Sequence, residues 1–281
     1  MNKQYEPKML KKLQRVEFEI LQDVAHVCEE NGIDYFILYG TLIGALRHKG
    51  FIPWDDDIDI GMFREDYERL VSVFDKNLSD KYILMTPFRD KHYCSSIAKI
   101  EKKGTIFISE VSASMKCEQG IFIDIFIFDK VSGDEKLFRK QNSKTRFYAK
   151  MLFLTGSGKP EIDITGFLGA FAKVVCRIAH GILRLIPNMN QFLFRKFEYY
   201  SKLSNHEDTD IYTTYQDTDA ALNVVNRNMV FPTRKVDFEN GVVNIPKESH
   251  RILTMRYGDY MKLPDEKDRV NHAAELIDFG E

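Results

Sequence analysis

Between residues 5 and 31 the apolar positions recur in steps of three and four, at Met9, Leu10, Leu13, Val16, Ile20, Leu21, Val24 and Val27. That spacing predicts a helix with one buried face, stopped by Gly32. Residues 35–39 (YFILY) are β-rich and too short for a helix. Gly40-Thr41 breaks that run, and LIGALRHK predicts a short helix. A turn follows from Gly50 to Pro53. Ile58 and Ile60 then alternate with aspartates, the pattern of a strand with one polar face. Helical spacing returns from Glu65 to Phe74. Further strands are expected at 82–85, 97–100 and 105–109, and in the run IFIDIFIF at 121–128, which is apolar apart from one carboxylate.

Residues 134–203 read as three helices, broken near Gly156-Ser157-Gly158 and near Pro187-Asn188. Beyond about 210 the pattern is mixed again. Interleaved strands and helices predict an α+β (mixed α/β) fold. The expected organisation is a core over 1–133, a helical insertion over 134–210 and a C-terminal part, 211–281, that completes the core. The 281 residues suffice for one large domain or two small ones. With 44% hydrophobic and 29% charged residues, the chain is neither disordered nor a multi-span membrane protein. Its 40 basic and 42 acidic residues leave a net charge of -2, which argues against nucleic acid as a partner. The cysteines at 28, 94, 117 and 176 form no C-x-x-C unit, and the opening residues lack the apolar core of a secretory signal. A cytoplasmic chain with free thiols is therefore expected.

The strongest chemical signal is Trp54-Asp55-Asp56-Asp57-Ile58-Asp59-Ile60. Its four carboxylates repel one another, and the nearest cations in sequence are Arg47, His48 and Lys49. On a strand, Asp55, Asp57 and Asp59 would share one face while Ile58 and Ile60 anchor the other. Hard oxygen ligands on a rigid strand suit Mg²⁺ or Mn²⁺. An acidic surface turn is the bland alternative, but it has no need of interleaved isoleucines. A calcium loop is disfavoured, because Ile60 stands where that loop needs glycine and Asp66 where it needs glutamate. Asp124 lies alone within GIFIDIFIF. Burying it costs free energy unless a shared metal, a backbone donor or an arginine compensates. Gly40-Thr41, between a strand and a helix, lets a phosphate approach the backbone at a helix N-terminus. Phosphate on that turn and metal on the aspartates is the arrangement for nucleotidyl or phosphoryl transfer.

The segment YGTLIGALRHKGFIPWDDDIDIGM resembles the signature of the LicD family, which includes bacterial phosphocholine transferases and is related to fukutin and fukutin-related protein. The resemblance continues at IFIDIFIFD, FPTRKVDFENGVVNIP and RYGDYMKLP, covering roughly 20–130 and 225–272. It implies a nucleotidyltransferase-like fold and a CDP-linked donor, typically CDP-choline. It further implies transfer of phosphocholine to a sugar hydroxyl of a lipid-linked cell-surface glycan precursor, such as teichoic acid, lipopolysaccharide or capsule. By the same resemblance Asp57 and Asp59 match the paired metal ligands, and Asp124 matches the third carboxylate and candidate base. Gly40 and Thr41 match the Gly-Ser element that holds donor phosphate, with threonine replacing serine and a longer gap to the aspartates. Arg47 either neutralises the diphosphate or pairs with Asp55 or Asp56, which are themselves candidate site lining. Trp54 either stacks on a base or quaternary ammonium, or shapes the turn. Lys99 either reaches the phosphates or is an edge-strand lysine. Arg269 and His272 are expected to line the site. Two other functions compete: nucleotidyl transfer to a small molecule or protein, and a non-catalytic metal- or glycan-binding module. The four aspartates speak against the module.

Residues 164–186 carry Lys173, Arg177, His180 and Arg184 at spacings of four, three and four. They form one stripe on an otherwise mostly apolar helix, and Arg195 and Lys196 extend the positive charge. Such a helix suits an anionic membrane surface, with Lys173, Arg177 and Arg184 as contacts. The competing expectation is a helix buried in the protein with one solvated stripe. A lipid-linked acceptor favours the first and places the protein at the inner face of the cell membrane.

Overall fold

The computed structural model describes residues 5–159, 166–269, 271 and 274–280. In chain order its elements are α1 (Pro7–Glu30), β1 (Phe36–Ile37), α2 (Tyr39–His48), β2 (Asp59–Phe63), α3 (Arg64–Asn77), β3 (Tyr82–Met85), β4 (Ala98–Lys102), β5 (Ile106–Ile108) and β6 (Phe122–Lys130). There follow α4 (Glu135–Gly156), α5 (Gly166–Leu183), α6 (Met189–Ser201), β7 (Ile211–Thr214), β8 (Val225–Asn226), α7 (Arg227–Val230), β9 (Arg234–Phe238), β10 (Gly241–Ile245), α8 (Ser249–Tyr257) and β11 (Leu276–Asp278). The fold is α+β.

The central sheet runs β1-β2-β6-β4-β3. β2 and β6 are parallel, and β4 pairs antiparallel with the first half of β6. β7 pairs with the second half of β6 and carries β8. Side-chain alternation divides this sheet into two differently used faces. Ile58, Ile60, Ile123, Ile125 and Ile127 join Leu13, Ile20 and Leu21 of α1 and Leu70 and Phe74 of α3 in the main core. On the other face Phe36, Phe63, Phe126, Phe128 and Tyr212 form an aromatic cluster. Asp59 and Asp124 share the parity of that second face.

α1 owes its position to the predicted stripe, with Leu13, Ile20 and Val24 fully buried. Met9 departs from the expectation and is 42% exposed. The same helix buries Gln14 and Glu17, which the apolar periodicity does not register. Two boundaries also differ. The strand expected across the aspartates starts only at Asp59, so Asp55 and Asp57 precede it and do not share a strand face with Asp59. α2 begins at Tyr39, so Gly40 and Thr41 lie in its first turn rather than in a break before it.

The helical segment is fastened to the sheet by α4 and α6. Leu152, Leu193, Phe194 and Phe197 pack with Tyr215 just past β7. Arg64, at the start of α3, donates through Nε and Nη2 to Asp129 of β6 at 2.8 and 2.6 Å. Its Nη1 donates to Glu198 of α6 at 3.0 Å. Arg64 and Asp129 are both buried, so removing the cation strands two carboxylates in low dielectric. Arg64→Met should therefore lower unfolding free energy by about 3–5 kcal/mol in urea titrations followed by circular dichroism. A loss below about 1 kcal/mol, the range of exposed pairs, would show that the cluster does not hold the helices to the sheet.

Candidate active site

The aspartate segment is pinned on every side by backbone-directed bonds. Gln14 Nε2 of α1 donates to the Asp55 carbonyl at 2.8 Å. The Asp59 N–H donates to Thr41 Oγ1 at 2.9 Å, and the Leu38 N–H donates to the Asp59 carbonyl at 2.9 Å. The Asp124 N–H donates to the Ile58 carbonyl at 2.9 Å. Ile58 and Ile60, both fully buried, lock the opposite side into the core. A residue flanked by such anchors cannot swing away to relieve repulsion.

Register then brings the chemistry together. Asp59 of β2 lies directly beside Asp124 of β6, and Asp124 lies directly opposite Lys99 of β4. The three side chains form one row across three strands. Lys99 Nζ is 3.3 Å from Asp124 Oδ1 and 3.0 Å from the centroid of the Phe122 ring. β4 lies between β6 and β3, so the edge-strand alternative for Lys99 is corrected: its strand is interior and its ammonium faces a carboxylate.

The row carries surplus negative charge. Burial, and then the charges of Asp57, Asp124 and Asp55, push the Asp59 carboxyl well above its ordinary range, with Lys99 opposing. Glu17, buried on α1, is raised likewise by burial and by Asp57, Asp56, Asp55 and Asp124. Asp56 is 1% exposed and bonded to the Tyr5 hydroxyl, which also accepts from the Ala274 N–H at 2.8 Å. Asp55 lies against the first turn of α2. A Cβ on Gly40 would fall 2.6 Å from Asp55 Oδ2, so glycine there admits a carboxylate to a helix N-terminus, where anions are favoured.

The remaining expected residues are less directly tied to the row. Arg47 donates to the Tyr260 carbonyl at 2.7 Å; burial lowers its pKa and the charge of Asp55 opposes that. The Arg269 guanidinium lies 4.9 Å from the Trp54 ring centroid, so these two predicted residues meet each other in a cation–π contact. His272 lies outside the described residues. Lys173 and Arg177 sit on α5, which packs against α4, and Arg184 lies in the turn that follows it.

The structure also gathers groups that sequence reasoning missed. The Arg256 guanidinium stacks 4.4 Å over Tyr39 and donates to Asp217 Oδ2 at 2.7 Å and Asn223 Oδ1 at 2.6 Å. Tyr39 and Tyr257 both lie within electrostatic reach of Asp59. The signal was Arg256-Tyr257 inside RYGDYMKLP, a block recognised without its residues being assigned.

Among the described residues no three His, Cys, Asp or Glu side chains are gathered as a ready-made metal cage. The donor chemistry nevertheless fits a hard divalent cation, since burial and then the neighbouring charges of Asp57, Asp124 and Asp55 raise Asp59, and all four groups are hard oxygen donors.

Comparison with known proteins shows the family. Residues 32–157 match the family described as LicD/FKTN/FKRP, nucleotidyltransferase domain. The chain is 30% identical over 269 residues to the lipopolysaccharide cholinephosphotransferase LicD of Haemophilus influenzae, covering 94% of this chain and 95% of that protein. It is 44% identical over 48 residues to the human ribitol 5-phosphate transferase FKRP, covering 17% of this chain and 10% of that one. It is 36% identical over 50 residues to the mouse ribitol-5-phosphate transferase FKTN, covering 18% and 11%.

The surplus charge has a measurable sign. With its folded carboxyl raised above the unfolded value of 3.8, Asp59 holds a proton more tightly in the fold than in the unfolded chain. Its contribution to stability is complete below about pH 4 and is lost as pH rises through the folded value. Asp59→Asn should therefore melt higher than wild type in EDTA, and the gap should widen from pH 4 to 8. A variant that melts lower at every pH would show that the Asp59 charge is compensated.

Proposed function

The chain belongs to the LicD family, and on that premise we propose that it is a metal-dependent phosphotransferase acting on glycans. In this reading it moves phosphocholine from CDP-choline to a sugar hydroxyl of a lipid-linked cell-surface glycan precursor. The observation that carries it is the in-register row Asp59–Asp124–Lys99 within a chain that aligns over 94% of its length with a cholinephosphotransferase.

Asp57, Asp59 and Asp124 would hold Mg²⁺. When bound, that ion supplies the positive charge a diphosphate donor and a carboxylate-lined site both lack. The chain's own residues do the rest. Asp124 takes the proton from the acceptor hydroxyl, whose oxygen forms the new bond to the choline-bearing phosphorus. The bond from that phosphorus to the bridging oxygen breaks, and CMP leaves with the oxygen. Lys99, bonded to Asp124 and seated on Phe122, orients the base and supplies positive charge beside the transferred phosphate. Thr41 fixes the Asp59 backbone and thereby the height of the row. Tyr39 and Tyr257, both stacked on Arg256, lie within electrostatic reach of Asp59.

Short matches to two ribitol-phosphate transferases favour one second reading, transfer of a polyol phosphate from a CDP-linked donor by the same bond cleavage. Donor choice separates the two. Incubation with CDP-choline, Mg²⁺ and envelope extract should release CMP and label glycan with choline, and EDTA should stop both. Turnover with CDP-ribitol alone would shift the assignment to polyol phosphate. Pyrophosphate released from CTP, with no CMP from either donor, would replace phosphotransfer by nucleotidyl transfer.

Two substitutions test the residue roles. Asp57→Asn should reduce the rate about 10²-fold or more. Asp124→Asn should lose about 10²–10⁴-fold, the range for a general base, with an unchanged far-ultraviolet spectrum. Losses below tenfold in both would remove these carboxylates from the reaction.

A further inference from the structure

α5 inverts the usual arrangement of a packed helix. Leu168, Phe171, Val174, Ile178 and Ile182 are between 50% and 69% exposed. Their spacing of three and four places them on one face. Gly169, Ala172, Cys176 and Ala179 are the less exposed positions and mark the side packed on α4. His180 reinforces that side, its Nδ1 bonded to the Leu154 carbonyl at 2.8 Å. The expectation of a helix buried in the protein is thus corrected: small residues face inward and large apolar ones face out.

Contiguous exposed apolar surface of this kind marks an interaction site, and charge selects its occupant. From Gly166 to Phe197 the chain has five cations, Lys173, Arg177, Arg184, Arg195 and Lys196, and no Asp or Glu. The whole chain, by contrast, has 42 acidic residues against 40 basic. Lys173, Arg177 and Arg184 are all exposed. A cavity of about 400 Å³ at the C-terminal end of α5 continues the positive surface: Lys91, Lys116 and Arg184 line it, and no carboxylate does. A second copy of the chain would bring like charge against like charge. No described helix is long and apolar enough to cross a membrane, so α5 suits an interface rather than a span.

We propose that α5 docks this protein on an anionic lipid surface. Its apolar face enters the boundary between head groups and acyl chains, and Lys173, Arg177 and Arg184 meet lipid phosphates. This inference is independent of the transferase reading, because docking needs neither donor nor acceptor.

Co-sedimentation of the full chain with vesicles tests it. The protein should pellet with phosphatidylglycerol–phosphatidylcholine vesicles at low salt and be released by added salt. It should stay in solution with pure phosphatidylcholine. Each surface cation contributes roughly fivefold, so replacing Lys173, Arg177 and Arg184 together by Gln should weaken binding roughly 10²-fold. Ile178→Glu should abolish it, and because Ile178 is exposed, both variants should melt like wild type. Wild type left in the supernatant at low salt overturns the proposal, as does equal binding to neutral vesicles. A lipid-free dimer in analytical ultracentrifugation that Ile178→Glu splits would assign the face to a second copy and overturn it too.

Discussion

Repulsion among carboxylates that cannot move apart is the constraint around which this fold is arranged. Parallel pairing of β2 with β6 fixes Asp59 beside Asp124, and antiparallel pairing of β4 adds Lys99. Asp55, Asp56 and Asp57 precede the row, and their charges, with burial, push Glu17 on α1 toward its neutral form. Left alone, such a cluster would move apart into water, where charge is cheap. What prevents it is apolar: Ile58 and Ile60 sit at 0% exposure in the main core, and losing either burial would cost about 1.5–3 kcal/mol. The hydrophobic core thus holds the electrostatic strain in place, and the strain is what makes the site receptive to cations.

Much of this was legible in the sequence, for a physical reason. Ile58 and Ile60 alternating with aspartates is a pattern that only a half-buried segment needs, so it pointed at once to core and site. The apolar stripe of α1 and the helix breaks near Gly156 and Pro187 were equally readable, because periodicity and backbone restriction are local properties. Register is not local. Nothing in IFIDIFIF says that its aspartate will stand beside Asp59, or that a lysine 25 positions earlier will face it. Glu17 escaped notice because a single glutamate on an amphipathic helix reads as solvated face. It is nevertheless buried, within electrostatic reach of Asp55, Asp56 and Asp57.

Several expected roles acquire a second meaning in three dimensions. Thr41 was expected to hold phosphate, yet its hydroxyl accepts from the Asp59 backbone, so it builds the row as well as bordering it. Gly40 was expected to admit a phosphate, and the group lying against it is the Asp55 carboxylate. The same lack of a side chain serves both uses, since a helix N-terminus attracts carboxylate and phosphate by the same field. Trp54 and Arg269 satisfy one another, which links the aspartate loop to the C-terminal segment.

The helical segment connects this site to the proposed lipid surface by mechanics rather than by contact. α4 and α6 are joined to the sheet through the Leu152–Phe197–Tyr215 cluster and through Arg64, which grips Asp129 at the far end of β6 from Asp124. α5 packs on α4 by its small residues and leaves its large ones outward. α5 is therefore tied, through α4, to the sheet that carries Asp124. A helix seated at an interface would then hold the carboxylate row at one fixed height and tilt above it. For an acceptor that is itself anchored in that interface, such a constraint replaces a search in three dimensions by one in two.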